Sequence, residues 1–333
     1  MGTTGFGIDL VEELRAGRLP RAYGMERVVD ALWETVRRPA GSRSAVLLGP
    51  SGAGKSAAVA ELVHRLVERE PGAEWRVLRL GGGDFLRGTK YLGEWETRAM
   101  ALIDEAKRPA KVILHVPDVA VLHSVGKAEK SDSNVAAVFA PFLETGEVSI
   151  VGEATPEEFA AGLGSVPSLR RPFQPITVEP TGAAETLAIV VRVAEGLVAE
   201  DSAGELFESV EPDCDPLPKA TLERVVDLAD LYGSSVAQPA RSIELLRRAL
   251  EGCSERPLEP RHVLDALSRT SGLPTELLDD DQPLDLSRLA DFFARRVMGQ
   301  PEAIEAVRDL VRFPELRFLD RFDTLVPILT GTA

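Results

Sequence analysis

The sequence predicts an α/β protein, a parallel sheet with helices on both faces followed by a small all-helical lid domain, and three observations carry that prediction. Short β-rich runs alternate with helical patterns through the first half, the strands stop after Pro180, and a glycine-rich loop joins one strand to an amphipathic helix. Alternation of this kind buries a parallel sheet between two helix layers.

The runs are SAVLLG (44–49), WRVLRLG (75–81), KVILHV (111–116), VSIVG (148–152) and PITVEP (175–180). Each is a short, β-branched or apolar stretch bounded by turn residues. Beyond Pro180, TLAIVVRVAEGLV, ATLERVVDLADLYG and ARSIELLRRALEG space their apolar residues three and four apart, the period of a helix with one buried face. The Pro- and Asp-rich EPDCDPLPKA (211–220) reads as a loop between those helices. The domain boundaries expected are an N-terminal segment (1–20), a large α/β domain (21–180), a helical lid (181–257) and a further segment (258–333).

GPSGAGKS (49–56) fits the pattern G-x-x-x-x-G-K-[ST], directly after a strand and directly before AAVAELVHRLVERE, a helix with Val59, Leu62, Val63, Leu66 and Val67 on one side. In such a loop, here Gly49, Pro50, Ser51, Gly52, Ala53 and Gly54, the glycines let the available backbone N–H groups close around phosphate. Lys55 reaches the outer phosphates, and Ser56 offers a hydroxyl to Mg²⁺. ATP with Mg²⁺ is the expected ligand.

Composition narrows the remaining classes. The chain has 333 residues with 44% hydrophobic and 27% charged, an ordinary globular balance that excludes disorder and suggests more than one domain. A net charge of −15 argues against nucleic acid as the main partner. Cys214 and Cys253 lack metal-ligand spacing and fit a reducing compartment. No stretch approaches the roughly 20 apolar residues of a membrane span, and MGTTGFGIDL has no secretory pattern, so a cytoplasmic protein is expected.

A weak repeat closes the sequence. AYGMERVVDALWETVRRP (22–39) precedes the glycine-rich loop, and VMGQPEAIEAVRDLVRFP (297–314) precedes VPILTGTA, where the sequence stops. The expectation is that 258–333 begins a second module that continues past Ala333.

LVEELRAGRLPRAYGMERVV (10–29), GTKYLGEWETR (88–98), GEVSIVGEATPEEF (146–159), RRPFQPITVEP (170–180), LYGSSVAQPARSIELL (231–246) and RRVMGQPEAIEAV (295–307) together resemble the first ATPase module of Clp-type AAA+ protein unfoldases, over almost the whole chain. The resemblance implies a P-loop AAA+ fold, a homo-oligomer in the form of a hexameric ring, polypeptide substrates threaded through its centre, and a possible peptidase or adaptor. It carries Tyr23, Gly24 and Arg241 to the nucleotide site. It also carries Lys90, Tyr91, Leu92 and Gly93 to a pore loop that grips substrate. Read without it, Tyr91 is an ordinary half-buried aromatic.

The resemblance also exposes departures. Hydrolysis in the family needs adjacent acids at the end of the third strand, one for Mg²⁺ and one for water. VILHVPDV (112–119) offers one. One register puts Pro117 and Asp118 at the pair, the other Asp118 and Val119, and a carboxylate is missing either way. Asp118 is therefore the candidate for both metal and catalysis, with Glu153 as an alternative source of a water-positioning carboxylate. The γ-phosphate sensor falls on Ala154 with Thr155 beside it. The neighbour-facing arginine pair becomes Arg171 and Pro172 after Arg170, and the Asp-Arg pair of the lid becomes Ser235 and Val236. His115 and His123 read as sheet-end residues, and KAEKSDSN (127–134) as a solvated loop. The expected module binds ATP and hydrolyses it slowly or not at all, with a regulatory scaffold without threading as the alternative.

Overall fold

The computed structural model describes residues 6–86, 94–107, 111–125, 134–200, 215–232, 236–253 and 257–279, with single positions between 291 and 305. The chain divides into two compact units, Met1–Val193 with Ser234–Ile243, and Ala194–Gly233 with Glu244–Ala333.

The first unit opens with β1 (Ile8–Asp9) and α1 (Leu10–Arg15), then α2 (Glu26–Val36), β2 (Ser44–Leu48), α3 (Lys55–Arg69), β3 (Trp75–Arg79), α4 (Gly82–Leu86) and α5 (Glu94–Ala106). It continues through β4 (Lys111–Val116), α6 (Val121–Ser124), α7 (Val135–Thr145), β5 (Ser149–Ala154), α8 (Pro156–Ala161), α9 (Pro167–Arg170) and β6 (Phe173–Thr177) into α10 (Ala183–Glu200). The sheet runs β1-β3-β4-β5-β2-β6, parallel throughout except where β1 meets β3. All five expected strands are present. The sixth, β1, is two residues long and was not expected.

Alternation along the strands sorts the core into two layers. Val77, Ile113 and Val151 face one side, where Val29 and Leu32 of α2 and Leu62, Val63 and Leu66 of α3 cover them. Leu78, Leu114 and Ile150 face the other, under Leu102 and Ile103 of α5 and Phe139 and Leu143 of α7. Phe85 meets Phe139 edge-on at 6.5 Å between centroids. Helices on both faces of a parallel sheet are what the sequence predicted.

The second unit is helical in its described residues, with α11 (Lys219–Leu231), most of α12 (Ala240–Glu251), α13 (Pro260–Ser271) and α14 (Thr275–Leu278). Leu222, Val225 and Val226 of α11 and Val263, Leu264 and Leu267 of α13 are buried. The Thr221 hydroxyl donates to the Leu258 carbonyl at 2.7 Å, tying the start of α11 to the approach of α13. Among the described residues no helix is long and apolar enough to cross a membrane.

The N-terminal segment is held by charge. Asp9 caps α1 by accepting from the Val11 N–H at 3.0 Å, and it also accepts from Arg76 Nε at 3.0 Å. Arg76, on β3, donates in addition to Glu105 of α5. Burial works against the charge on Arg76, and the hydrogen bonds to Asp9 and Glu105 more than offset it, holding its pKa above the usual arginine value. Because the Asp9 side chain is only 3% exposed, removing its cation leaves a buried charge uncompensated. Arg76→Met is therefore expected to destabilise the protein by about 3 kcal/mol in chemical denaturation. A loss below about 1 kcal/mol, the range of an exposed pair, would show that the clasp is not coupled to folding.

Candidate functional site

The site lies where β2 ends and α3 begins. Gly49 leaves the strand with its N–H donating to the Ala154 carbonyl at 3.2 Å, and a Cβ there would stand 2.1 Å from the Val178 carbonyl oxygen. Only glycine passes between β5 and the residue after β6. Gly52 and Gly54 take φ of +90° and +101°, which L side chains rarely adopt, so the loop turns sharply before α3 starts. α3 begins at Lys55, and the unpaired N–H groups of its first turn carry the positive end of a 15-residue helix. Lys55 Nζ donates to the carbonyls of Gly49 and Pro50, at 2.7 and 2.8 Å, which fixes the ammonium at the loop.

Two further segments close on the loop. The Ala237 N–H donates to the Ser51 carbonyl at 2.7 Å and that of Ala240 to the Gly52 carbonyl at 3.3 Å, so 236–243 lies against the loop and brings half-buried Arg241 with it. From the other side, Met25 packs under Gly54, where a Cβ would meet its Cε at 2.6 Å. Tyr23, just before it, stacks under the Arg192 guanidinium of α10 at 5.2 Å, and Gly24 turns with φ +71° against Ile189. Met25, Ala237 and Ala240 thus close on the loop, with Tyr23 and Gly24 just before Met25 and Arg241 just after Ala240 in the chain. A glycine cradle at a helix N-terminus with a lysine beside it fits a phosphate chain.

The carboxylate beside Ser56 comes from a different strand than the sequence led us to expect. Ser56 Oγ donates to Glu153 Oε2 at 2.9 Å, and Glu153 Oε1 is 2.7 Å from His115 Nε2. Glu153 is 4% and His115 2% exposed, while Ser56 is exposed at the surface of the loop. Glu153, considered from sequence only as a water-positioning group, therefore sits under the serine. His115 is the buried partner of that acid rather than a simple sheet-end residue.

Asp118 stands elsewhere. It is exposed, and its Oδ1 accepts from the Ala120 N–H at 3.1 Å, capping its own turn. That turn folds back over β5: the Val119 N–H donates to the Glu153 carbonyl at 3.0 Å, and Val119, fully buried, covers Gly152, where a Cβ would meet it at 2.7 Å. A carboxylate at position 119 would point into this packing. Among the described residues no three His, Cys, Asp or Glu side chains gather as a metal cluster. Hard oxygens from one hydroxyl and one carboxylate suit Mg²⁺, which takes few protein ligands and keeps waters and phosphate oxygens.

The Thr155 hydroxyl is the N-cap of α8. It accepts from the Glu158 N–H at 3.2 Å, and the Glu158 carboxylate accepts from the Thr155 N–H at 2.8 Å. This capping box gives Thr155 a local role that the family comparison did not anticipate. Arg171 and Arg170 are exposed at the end of α9. Lys90, Tyr91, Leu92 and Gly93 lie outside the described residues, as does nearly all of 127–134.

Fold and loop together define a nucleotide-binding domain of the AAA ATPases, and residues 45–158 match the ATPase family associated with various cellular activities. More particularly, the chain carries an AAA+ module of the Clp type. It is 30% identical over 247 residues to the chaperone protein ClpB of Aquifex aeolicus, covering 73% of this chain and 23% of that protein. It is 31% identical over 364 residues to a homologue of the Clp protease ATP-binding subunit ClpA from Pyropia yezoensis, covering 92% and 44%. The chloroplastic chaperone ClpC4 of rice, Oryza sativa subsp. japonica, is 26% identical over 368 residues, covering 92% and 40%. The chain thus spans less than half the length of these curated relatives. Among solved structures, the S. cerevisiae Hsp104:casein complex matches its fold with a TM-score of 0.70 at 21% identity, over 93% of this chain and 52% of that one.

The loop geometry makes one expectation concrete. A Cβ at Gly52 would stand 2.5 Å from Val236 Cγ1 and 2.7 Å from the Ala237 carbonyl oxygen, at a φ that L residues avoid. Gly52→Ala is expected to cost about 1–3 kcal/mol in thermal unfolding. An unchanged midpoint would show that 236–243 does not press on the loop.

Proposed function

We propose that this chain is the ATP-binding module of a ring-forming, protein-remodelling AAA+ machine of the cytoplasm, and that it holds ATP while hydrolysing it slowly or not at all. The observation that carries the reading is the cradle from Gly49 to Ser56, closed by Met25 on one side and Ala237 on the other, with Lys55 fixed at its mouth. The loop N–H groups and the positive end of α3 take the phosphates, and Tyr23, Gly24 and Arg241 complete the pocket. Mg²⁺ bound with ATP would neutralise charge on the outer phosphates, with the Ser56 hydroxyl as its ligand on the loop.

Slow turnover follows from the end of β4. The reaction needs one group for the metal and one to orient water, and the end of β4 offers a single acid, Asp118, exposed and engaged in its own turn. Losing such a group removes several kcal/mol of transition-state stabilisation, about 1.4 kcal/mol for each tenfold in rate. The same incomplete pair favours a second reading, a regulatory scaffold in which nucleotide fixes a conformation and nothing is threaded.

Assembly as a hexamer follows the family resemblance, which carries Arg171, with Arg170 before it, to a neighbouring subunit's site; both are exposed at the end of α9. Substrates in this reading are polypeptides gripped by Lys90, Tyr91, Leu92 and Gly93, with a peptidase or adaptor downstream. Nucleic acid is disfavoured by the net charge of −15.

Lys55→Ala is expected to abolish binding of a fluorescent ATP analogue, because the ammonium contacts the most highly charged phosphates. Unchanged affinity would overturn the assignment. Turnover of the oligomeric wild type is expected below about 1 s⁻¹, the lower end for ordinary enzymes. Pro117→Asp with Asp118→Glu should raise it, and wild-type turnover above that level, lost in Lys55→Ala, would show that the site is complete as it stands. Tyr91→Ala separates the two readings: threading predicts weaker unfolding of a tagged substrate by the full-length protein at unchanged nucleotide affinity. Equal unfolding would remove Tyr91 from the grip, and no unfolding by the wild type would favour the scaffold.

A further inference from the structure

We propose that the carboxylate serving the metal in this module is Glu153, on β5, in place of an acid at the end of β4, and that His115 is the residue that positions it. The proposal rests on the ATP-binding reading and assigns the metal side of that site.

Strand order makes the exchange possible. β5 lies between β2, which leads into the glycine loop, and β4, which carries the expected acids. Glu153 pairs in register with Leu47, two residues before Gly49, so it stands beside the strand that feeds the loop. An acid on β4 is one strand farther away. From β5, the Glu153 side chain reaches Ser56 Oγ at 2.9 Å, and Ser56 is the hydroxyl offered to the metal.

Chemistry points the same way. A buried carboxylate is costly unless every oxygen is compensated. Glu153, at 4% exposure, spends one oxygen on Ser56 and the other on His115, with no lysine or arginine against either among the described residues. His115 opposes its charge only when protonated, whereas a cation held by Ser56 would do so in either state of the ring. His115 comes from β4 with its ring buried, and among the described residues its one polar contact is Nε2 on Glu153, with Nδ1 left without a hydrogen-bond partner. Carboxylates that ligate metals are themselves held by outer-shell hydrogen bonds that fix which way the oxygens face, and the His115 ring is in that position behind Glu153. Asp118 meets none of these conditions, being exposed and bonded to the Ala120 N–H of its own turn. The Val119 packing over Gly152 fixes that turn.

The test titrates MgCl₂ against the 333-residue chain bound to a fluorescent ATP analogue and reads the Mg²⁺ concentration at half-maximal gain in affinity, with the affinity in EDTA as reference. Glu153→Gln is expected to raise that midpoint about tenfold or more, with the EDTA affinity close to wild type. Asp118→Asn is expected to leave the midpoint where it is. His115→Phe, which removes the ring nitrogens, should also raise the midpoint about tenfold, while His115→Gln, which restores an N–H at similar reach, should recover most of it. Recovery by Gln distinguishes positioning from bulk packing, and the His115 pair decides the question should Glu153→Gln fold poorly by circular dichroism.

A midpoint moved by Asp118→Asn and not by Glu153→Gln would overturn the proposal, as would one moved by neither. Equal losses in His115→Phe and His115→Gln would overturn the role of His115. Absence of analogue binding by the wild type in both EDTA and MgCl₂ would instead refute the ATP-binding reading itself. Wild-type binding with an unmoved midpoint in Glu153→Gln would refute the metal assignment alone.

Discussion

The site depends on the place where β2 stops being a strand. Gly49 hands its N–H to β5 through Ala154 while its missing Cβ clears the Val178 carbonyl beyond β6. The loop is thereby anchored to both neighbours of β2 before it turns, and every later feature inherits that position. α3 starts where it does because Gly54 supplies the left-handed turn, Met25 fills the space beneath it, and Lys55 folds back onto the carbonyls of Gly49 and Pro50. A side chain at any of these glycines would move the helix start, and with it the one concentrated patch of backbone N–H groups in the site.

Much of this was legible in the sequence, because it is local. The glycine spacing of GPSGAGKS prescribes a loop between strand and helix whatever the rest of the chain does, and short, nearly continuous apolar runs such as KVILHV prescribe strands buried on both faces. Pairings across the sheet were not legible. His115 and Glu153 are 38 residues apart and meet only because β4 and β5 are adjacent and parallel, in the register that sets His115 opposite Val151. The available signal was one polar residue near the C-terminal end of each of two strands whose interiors are apolar or small, His115 in KVILHV and Glu153 in SIVGEA. That pattern says the two polar groups need partners without saying that they are each other's. Thr155 shows the converse: T-P-E-E is a readable capping box, and the local rule took precedence over the family comparison. β1 escaped notice because two residues carry no periodicity.

A carboxylate under the loop also changes how the module is to be compared with its relatives. Counting acids at the end of β4 scores the chain as deficient, yet β5, between β4 and β2, brings Glu153 to the same serine. Position in space and position in a motif are separable, since a neighbouring strand in register presents its side chain to nearly the same point. The contacts of Glu153, to Ser56 and His115, place it on the metal side of the site and name no group for the attacking water.

The borders of the sheet carry a different consequence. Without β1, β3 would be an outer strand with a row of open N–H and C=O groups, a surface on which another chain can add. Ile8 and Asp9 cover it with an antiparallel pair only two residues long, and Asp9 turns at once into a helix cap, so the covering strand is too short to seed pairing of its own. At the opposite border, β6 carries Pro175 in register with Val46, and a proline has no N–H to offer a newcomer. Both borders thus offer a stray extended chain little to pair with.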